Sequence, residues 1–190
     1  MSTLTLEHAK QLLSSTTTEP HLFNHALAVS SAMGALAAHF DEDVNYWQAV
    51  GFLHDYDYEQ YPQAHLQHTE KELLALGVDE TAVRAIMAHG YGLCSDVAPI
   101  TNLEKALYTV DELTGIIGAA ARMRPLGITD LEIKSFMKKF KDKKFAAKCD
   151  RSLILSGCDM LGMEITEVAD LCIAGMKTQM DALGLGPKQA

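Results

Sequence analysis

Six side chains of this 190-residue chain are natural ligands for a divalent cation: His25 in FNHAL, His54 and Asp55 in FLHDYD, His65 in YPQAHLQH, His89 in IMAHG and Asp111 in YTVDEL. Mixed imidazole and carboxylate sets suit Mn, Fe, Co, Ni or Zn better than Ca. A divalent ion in such a set lowers the pKa of a bound water and polarises a phosphoryl oxygen. Phosphoester hydrolysis at neutral pH needs both effects. Each residue alone has a simpler reading. His25 reads as a hydrogen-bonded core histidine, His54-Asp55 as a solvated helix end, and His89 as a C-terminal histidine favoured by the helix dipole. Asp111 sits among Leu107, Tyr108, Val110 and Leu113. It either faces water on a stripe with Glu104 and Glu112, or it is buried and must be paired or bound to a cation.

The elements that would bring these residues together are helices. Leu4–Leu13 has the spacing of a short first helix. Pro20 suits a first turn, and Leu22, Ala26, Val29, Met33, Leu36 and Phe40 follow it at helical spacing. Val44, Trp47, Val50 and Leu53 continue a second apolar stripe. Thr69–Leu76 and Asp79–Ala88 read as shorter helices separated by Gly77, with Asp79 as N-cap. The stretch YGLCSDVAPIT reads as a loop. A long helix from Thr101 or Asn102 to Ala121 follows it, ended by Pro125 and Gly127. Thr129 with Glu132 is a capping-box pattern, and a last helix covers about Glu164–Leu183. No β-branched alternation supports a sheet. The expected fold is one all-α domain of about eight helices, with its core over residues 20–180.

The ordered set His, His-Asp, His, His, Asp resembles the HD-domain superfamily of metal-dependent phosphohydrolases. It is most similar to a branch of small predicted HD hydrolases, which RPLGITDLEIKSFMKKFKDKKFA also resembles. The resemblance implies an all-helical HD-type bundle holding one or two divalent metals (Mn, Fe, Co, Ni, Zn or Mg). It implies that His25, His54, Asp55 and Asp111 bind the first metal and that Asp55 bridges when there are two. His65 and His89 would complete a second site or contact the substrate phosphate. Many relatives carry glycine four residues after the third histidine, where this chain has Thr69. The motif favours His65 over His68, which would fall about a turn later and on the surface.

Around that set, Asp57 and Glu59 either lie in a solvated loop or reach the metal-bound water, and Asp57 is the better catalytic candidate beside Asp55. Tyr56 and Tyr58 are candidate pocket-lining residues. Arg122 lies eleven residues after Asp111 on the same helix, on nearly the same face and ~16 Å along it. Arg122, Arg124, Lys134, Lys138 and Lys141 are therefore candidate contacts for a substrate phosphate, although the lysine run 134–148 also reads as a solvated face.

The expected activity is hydrolysis of a small phosphorylated molecule, a nucleotide among the candidates. Two alternatives accompany it: a di-iron HD oxygenase, and a non-catalytic metal- or nucleotide-sensing module. A haem site on His21 and His25 would explain neither the doublet nor Asp111.

Bulk properties narrow the field. The formal net charge of −9 speaks against a general nucleic-acid binder. The hydrophobic share of 48% and the charged share of 22% are those of a soluble globular chain. No apolar run approaches the ~20 residues of a membrane span. MSTLTLEHAK lacks the pattern of a signal peptide. Cys94, Cys149, Cys158 and Cys172 form no C-x-x-C pair and read as reduced thiols. A cytoplasmic protein, monomeric or homodimeric, is expected.

Overall fold

Local capping chemistry starts most of the helices. In the computed structural model, which describes residues 3–188, Thr5 caps α1 (Leu6–Thr16) and Pro20 opens α2 (Pro20–His39). Asp43 caps α3 (Val44–Leu53) by accepting from the Tyr46 N–H. α4 (Thr69–Ala75) is followed by Gly77, whose φ of 82° is one that a residue without a Cβ adopts freely. Asp79 caps α5 (Glu80–His89). A reciprocal capping box of Thr101 and Glu104 opens α6 (Asn102–Arg122). α7 (Ile133–Lys141), α8 (Arg151–Leu161) and α9 (Ile165–Lys177) complete the chain. The fold is thus all-helical, with nine helices and no strand among the described residues. No helix is long and apolar enough to cross a membrane.

α2 and α6 form the centre. α2 packs on α3, α6 and α9, while α6 also receives α5 and α8. Val29, Met33 and Leu36 of α2 and Leu107, Val110, Leu113 and Ile117 of α6 are fully buried. Burying each such side chain contributes roughly 1.5–3 kcal/mol against the entropy of ordering it. α3 comes close to α2 at Gly51, where a Cβ would lie 2.8 Å from Met33 Cγ and 3.2 Å from Ser30 Cα. The core also takes in Leu4 and Leu13 at one end of the chain and Leu185 at the other, beyond the expected span of 20–180.

Three expectations change. The helix anticipated at Thr129 begins at Ile133 instead. The Ile128 N–H donates to the Leu185 carbonyl at 2.7 Å and Arg124 clasps Asp130, so this segment is spent on turns. The last helix stops at Lys177 because the chain turns back to bury Leu183 and Leu185. α8 was not anticipated. Its signal is Asp150, whose carboxylate accepts from the Ser152 and Leu153 N–H groups as an N-cap.

Candidate metal centre

Five separate segments deliver the six candidate ligands to one place. His25 projects from the second turn of α2, and Asp111 from the middle of α6. His54 is the C-cap of α3, and Asp55 follows it in the turn. His89 is the last residue of α5, and His65 comes from the connection between α3 and α4. Asp111 faces inward: its Oδ1 lies 2.9 Å from His25 Nε2 and 3.4 Å from His54 Nε2.

Asp55 divides the cluster in two. Its Oδ2 is 3.3 Å from His54 Nε2 and 3.6 Å from His25 Nε2. Its Oδ1 is 3.4 Å from His65 Nε2 and 3.7 Å from His89 Nε2. The imidazole nitrogens also approach one another, at 3.1 Å for His25–His54 and 3.2 Å for His65–His89. Donor atoms ~2.1 Å from a common ion lie ~3.0 Å apart in octahedral and ~3.4 Å apart in tetrahedral geometry. The observed separations bracket those values.

The remaining ring nitrogens explain why the Nε2 atoms face inward. His54 Nδ1 donates to the Gly51 carbonyl at 2.8 Å, and His89 Nδ1 to the Ile86 carbonyl at 2.5 Å. His65 Nδ1 donates to Asp57 Oδ1 at 2.7 Å. A neutral ring with its proton on Nδ1 carries the lone pair on Nε2, as a metal ligand must. Lone pairs then face lone pairs across His65 and His89, and His54 faces two carboxylate oxygens. Such a centre requires positive charge. Burial opposes a proton on His54, but Asp55 and Asp111 outweigh it and raise its pKa. Burial also opposes the charge on Asp55 and Asp111, and the neighbouring histidines more than offset it, so both carboxyls titrate below the usual range. Burial lowers His89 to about 4, with His54 acting in the same direction. The donor set fits a divalent metal of the Mn-to-Zn series, and these residues could hold one.

No protein-family model, curated protein or solved structure matches this chain.

The other expected site residues are placed as follows. Asp57 does not line the cavity around the cluster. It is fully buried, and its carboxylate accepts from His65 Nδ1 and, at 2.9 and 3.2 Å, from the Leu66 N–H. Burial raises its pKa, but His65, Thr69 and the Leu66 N–H bring it below the ordinary value. Asp57 therefore orients His65. Leu66, with φ 67°, is a left-handed non-glycine residue held by that contact and by full burial of its side chain. Glu59 faces the start of α2, accepting from the Thr18 and Glu19 N–H groups at 2.8 and 3.1 Å. It ties the turn carrying Asp55 to the helix carrying His25. Tyr58 lines the cavity around the cluster, whereas Tyr56 is buried. His68 is exposed beside Tyr61.

Among the basic candidates, Arg122 lines a cavity that continues from His25. Arg124 does not: it pairs with Asp130 at 2.8 Å and donates to Ser135 at 3.0 Å, so its fork is already used in the fold. Lys134, Lys138 and Lys141 are exposed on α7, whose buried side is Phe136 and Phe140, and they line neither cavity next to the cluster. Sequence reasoning did not anticipate the rim residues Glu112, Cys149, Leu93 and Cys94. Glu112 was legible, being adjacent to Asp111. The others come from loops, with no local signal that they reach the site.

Proposed function

We propose that this chain is a metal-dependent phosphohydrolase of the HD type, acting on a small phosphorylated molecule. The observation that carries the reading is Asp55 set between two histidine pairs, each within ligand spacing of a different carboxylate oxygen. His25, His54, Asp55 and Asp111 would hold one divalent ion, and Asp55, His65 and His89 a second. Such ions supply an activated water and electrophilic stabilisation of phosphoryl charge. With both ions bound, positive charge exceeds that of the two ligand carboxylates. The centre then attracts phosphate within a chain of net charge −9.

The chain's own residues do the positioning. Gly51, Ile86 and Asp57 fix three imidazoles with Nε2 inward. Tyr58, Leu93 and Leu153 wall the cavity and limit water at the reacting phosphate. His21, Gly115 and Cys149 also line this cavity of about 470 Å³, which leaves room for a small substrate beside the cluster.

Metal analysis of the purified protein, then a phosphomonoester and phosphodiester panel with Mn, Co, Ni or Mg, tests the proposal. Asp55→Ala should lose both bound metal and turnover. Hydrolysis at the parental rate by that variant overturns it. Oxygen consumption by iron-loaded protein, without phosphoester turnover, would place the same cluster among oxygenases. Bound metal without either reaction would make it a sensing module.

A further inference from the structure

The cluster's cavity adjoins a second one along α6. Cavities of about 470 and 440 Å³ share His21, His25 and Gly115 as lining residues. The second is walled by Pro20, Asn24 and Ala28 of α2 on one side and by Met176 and Leu185 on the other. Its floor is α6. Asp111, Gly115, Gly118 and Arg122 follow at i, i+4, i+7 and i+11, so they share one face. A carboxylate stands at one end, two positions without side chains lie between, and a guanidinium stands at the other end.

The two glycines shape this trough. A Cβ at Gly118 would lie 3.1 Å from Arg122 Nη1, so the guanidinium folds back over Gly118 toward the cluster. A Cβ at Gly115 would narrow the passage, coming 3.1 Å from Cys149 Sγ. Glycine inside a helix is unfavourable by about 1 kcal/mol relative to alanine. On the cavity-facing side of α6, Gly115 keeps the passage clear and Gly118 makes room for the Arg122 guanidinium.

Arg122 is also the arginine without a partner. Of the four in the chain, Arg84 pairs with Glu104, Arg124 pairs with Asp130, and Arg151 donates to the carbonyls of Phe140 and Cys149. Among the described residues Arg122 makes no ion pair or hydrogen bond. No acidic side chain lines its cavity, although acidic residues outnumber basic ones by 25 to 16 in the sequence. Apart from Arg122, the polar side chains there are His21, Asn24, His25 and Thr114.

We infer that the substrate is an elongated molecule with two anionic ends. Resting on the phosphohydrolase reading, this places the reacting phosphate at the histidine–aspartate cluster, a largely uncharged spacer over Gly115, and a second phosphate or a carboxylate on the Arg122 guanidinium where it lies over Gly118. A planar guanidinium takes either anion through two parallel N–H donors.

The test is calorimetry with non-hydrolysable probes on the full chain loaded with Mn. Alkane-α,ω-bisphosphonates with chains of about two to eight carbons bracket the ~10 Å that seven residues of helix span. Each is compared with the alkylphosphonate and the ω-carboxyalkylphosphonate of equal length. A doubly anionic probe of intermediate length should bind about tenfold tighter than its singly anionic partner, the effect of one charge-assisted hydrogen-bonded contact. Whether bisphosphonate or carboxyalkylphosphonate leads identifies the second anion. The preference should disappear in Arg122→Ala and in Gly118→Leu, which fills the trough with a better helix former. Equal affinity for singly and doubly anionic probes in the parent overturns the inference, and so does a preference that survives Arg122→Ala. Failure of the underlying reading looks different: phosphonates would then bind as well to Asp55→Ala as to the parent.

Discussion

Replacing Asp57 by Asn asks whether this residue orients His65 or exchanges protons with substrate. Asp57 Oδ1 receives the His65 Nδ1 proton at 2.7 Å, and the two oxygens share the Leu66 N–H at 3.2 and 2.9 Å. An amide has one oxygen for these two donors. If the oxygen stays with Leu66, the amide NH2 meets His65 Nδ1 and forces its hydrogen onto Nε2. The lone pair facing Asp55 is then lost. If the oxygen turns to His65, the Leu66 N–H is left buried and unpaired in a left-handed residue.

Loss of an outer carboxylate partner weakens metal affinity by roughly 10- to 100-fold, equivalent to about 1.4–2.8 kcal/mol. The loss should fall on the half of the cluster formed by Asp55, His65 and His89. The half formed by His25, His54, Asp55 and Asp111 keeps its own ties to Gly51 and α6. Competition with a chromophoric chelator should therefore show one site weakened and one near its parental affinity. Turnover at saturating metal should recover substantially. Unchanged affinity at both sites refutes the positioning role. So does a rate that stays low when both sites are filled, which would return Asp57 to the chemistry.

Chelation should lower the melting temperature. Free metal at a hundred times its Kd stabilises the fold by ~2.7 kcal/mol, or about 5–10 °C for a chain of this size, and a chelator-independent melting point would count against a native metal. Gly51→Ala should destabilise the fold by about 1–2 kcal/mol despite the better helix propensity of alanine, because its Cβ meets Met33 and the Ser30 backbone. Since Gly51 also supplies the carbonyl that orients His54, metal affinity should fall with it. Asp79 accepts from the Tyr46 hydroxyl and the Leu4 and Ala82 N–H groups; burial raises its pKa, and these donors more than offset that and lower it. Its stabilisation is present above the unfolded value of about 3.9 and is lost as pH falls through the lower folded value. Asp79→Asn should therefore melt below the parent near neutral pH, by about 1–2 kcal/mol, with the gap closing in acid. A gap that widens in acid would reverse the assignment.

What could be read from the sequence follows from how local each cause is. The long helices were visible because periodicity and start signals lie within a few residues: Pro20 and the Asp79 cap stand where they were expected, and the long helix does begin at Asn102. His25 and Asp111 inherit their positions from those helices, so their meeting at 2.9 Å needed only that α2 and α6 pack together. Asp150 is an equally local cap, set between the lysine-rich stretch and the first turn of α8.

The direction of a short side chain is a different matter. Asp57 and Glu59 both follow the doublet and share the same chemistry, yet one turns inward to His65 and the other outward to the start of α2. The spacing of 55, 57 and 59 says only that the side chains alternate around a turn. Their partners lie eight and about forty residues away, on segments whose approach is decided by packing. Arg122 and Arg124 teach the same lesson. Two arginines one residue apart look interchangeable in sequence, but Arg124 finds Asp130 in the following turn while Arg122 lies back over Gly118. Which of them remains available to a ligand is decided by the absence of one Cβ and the presence of one carboxylate.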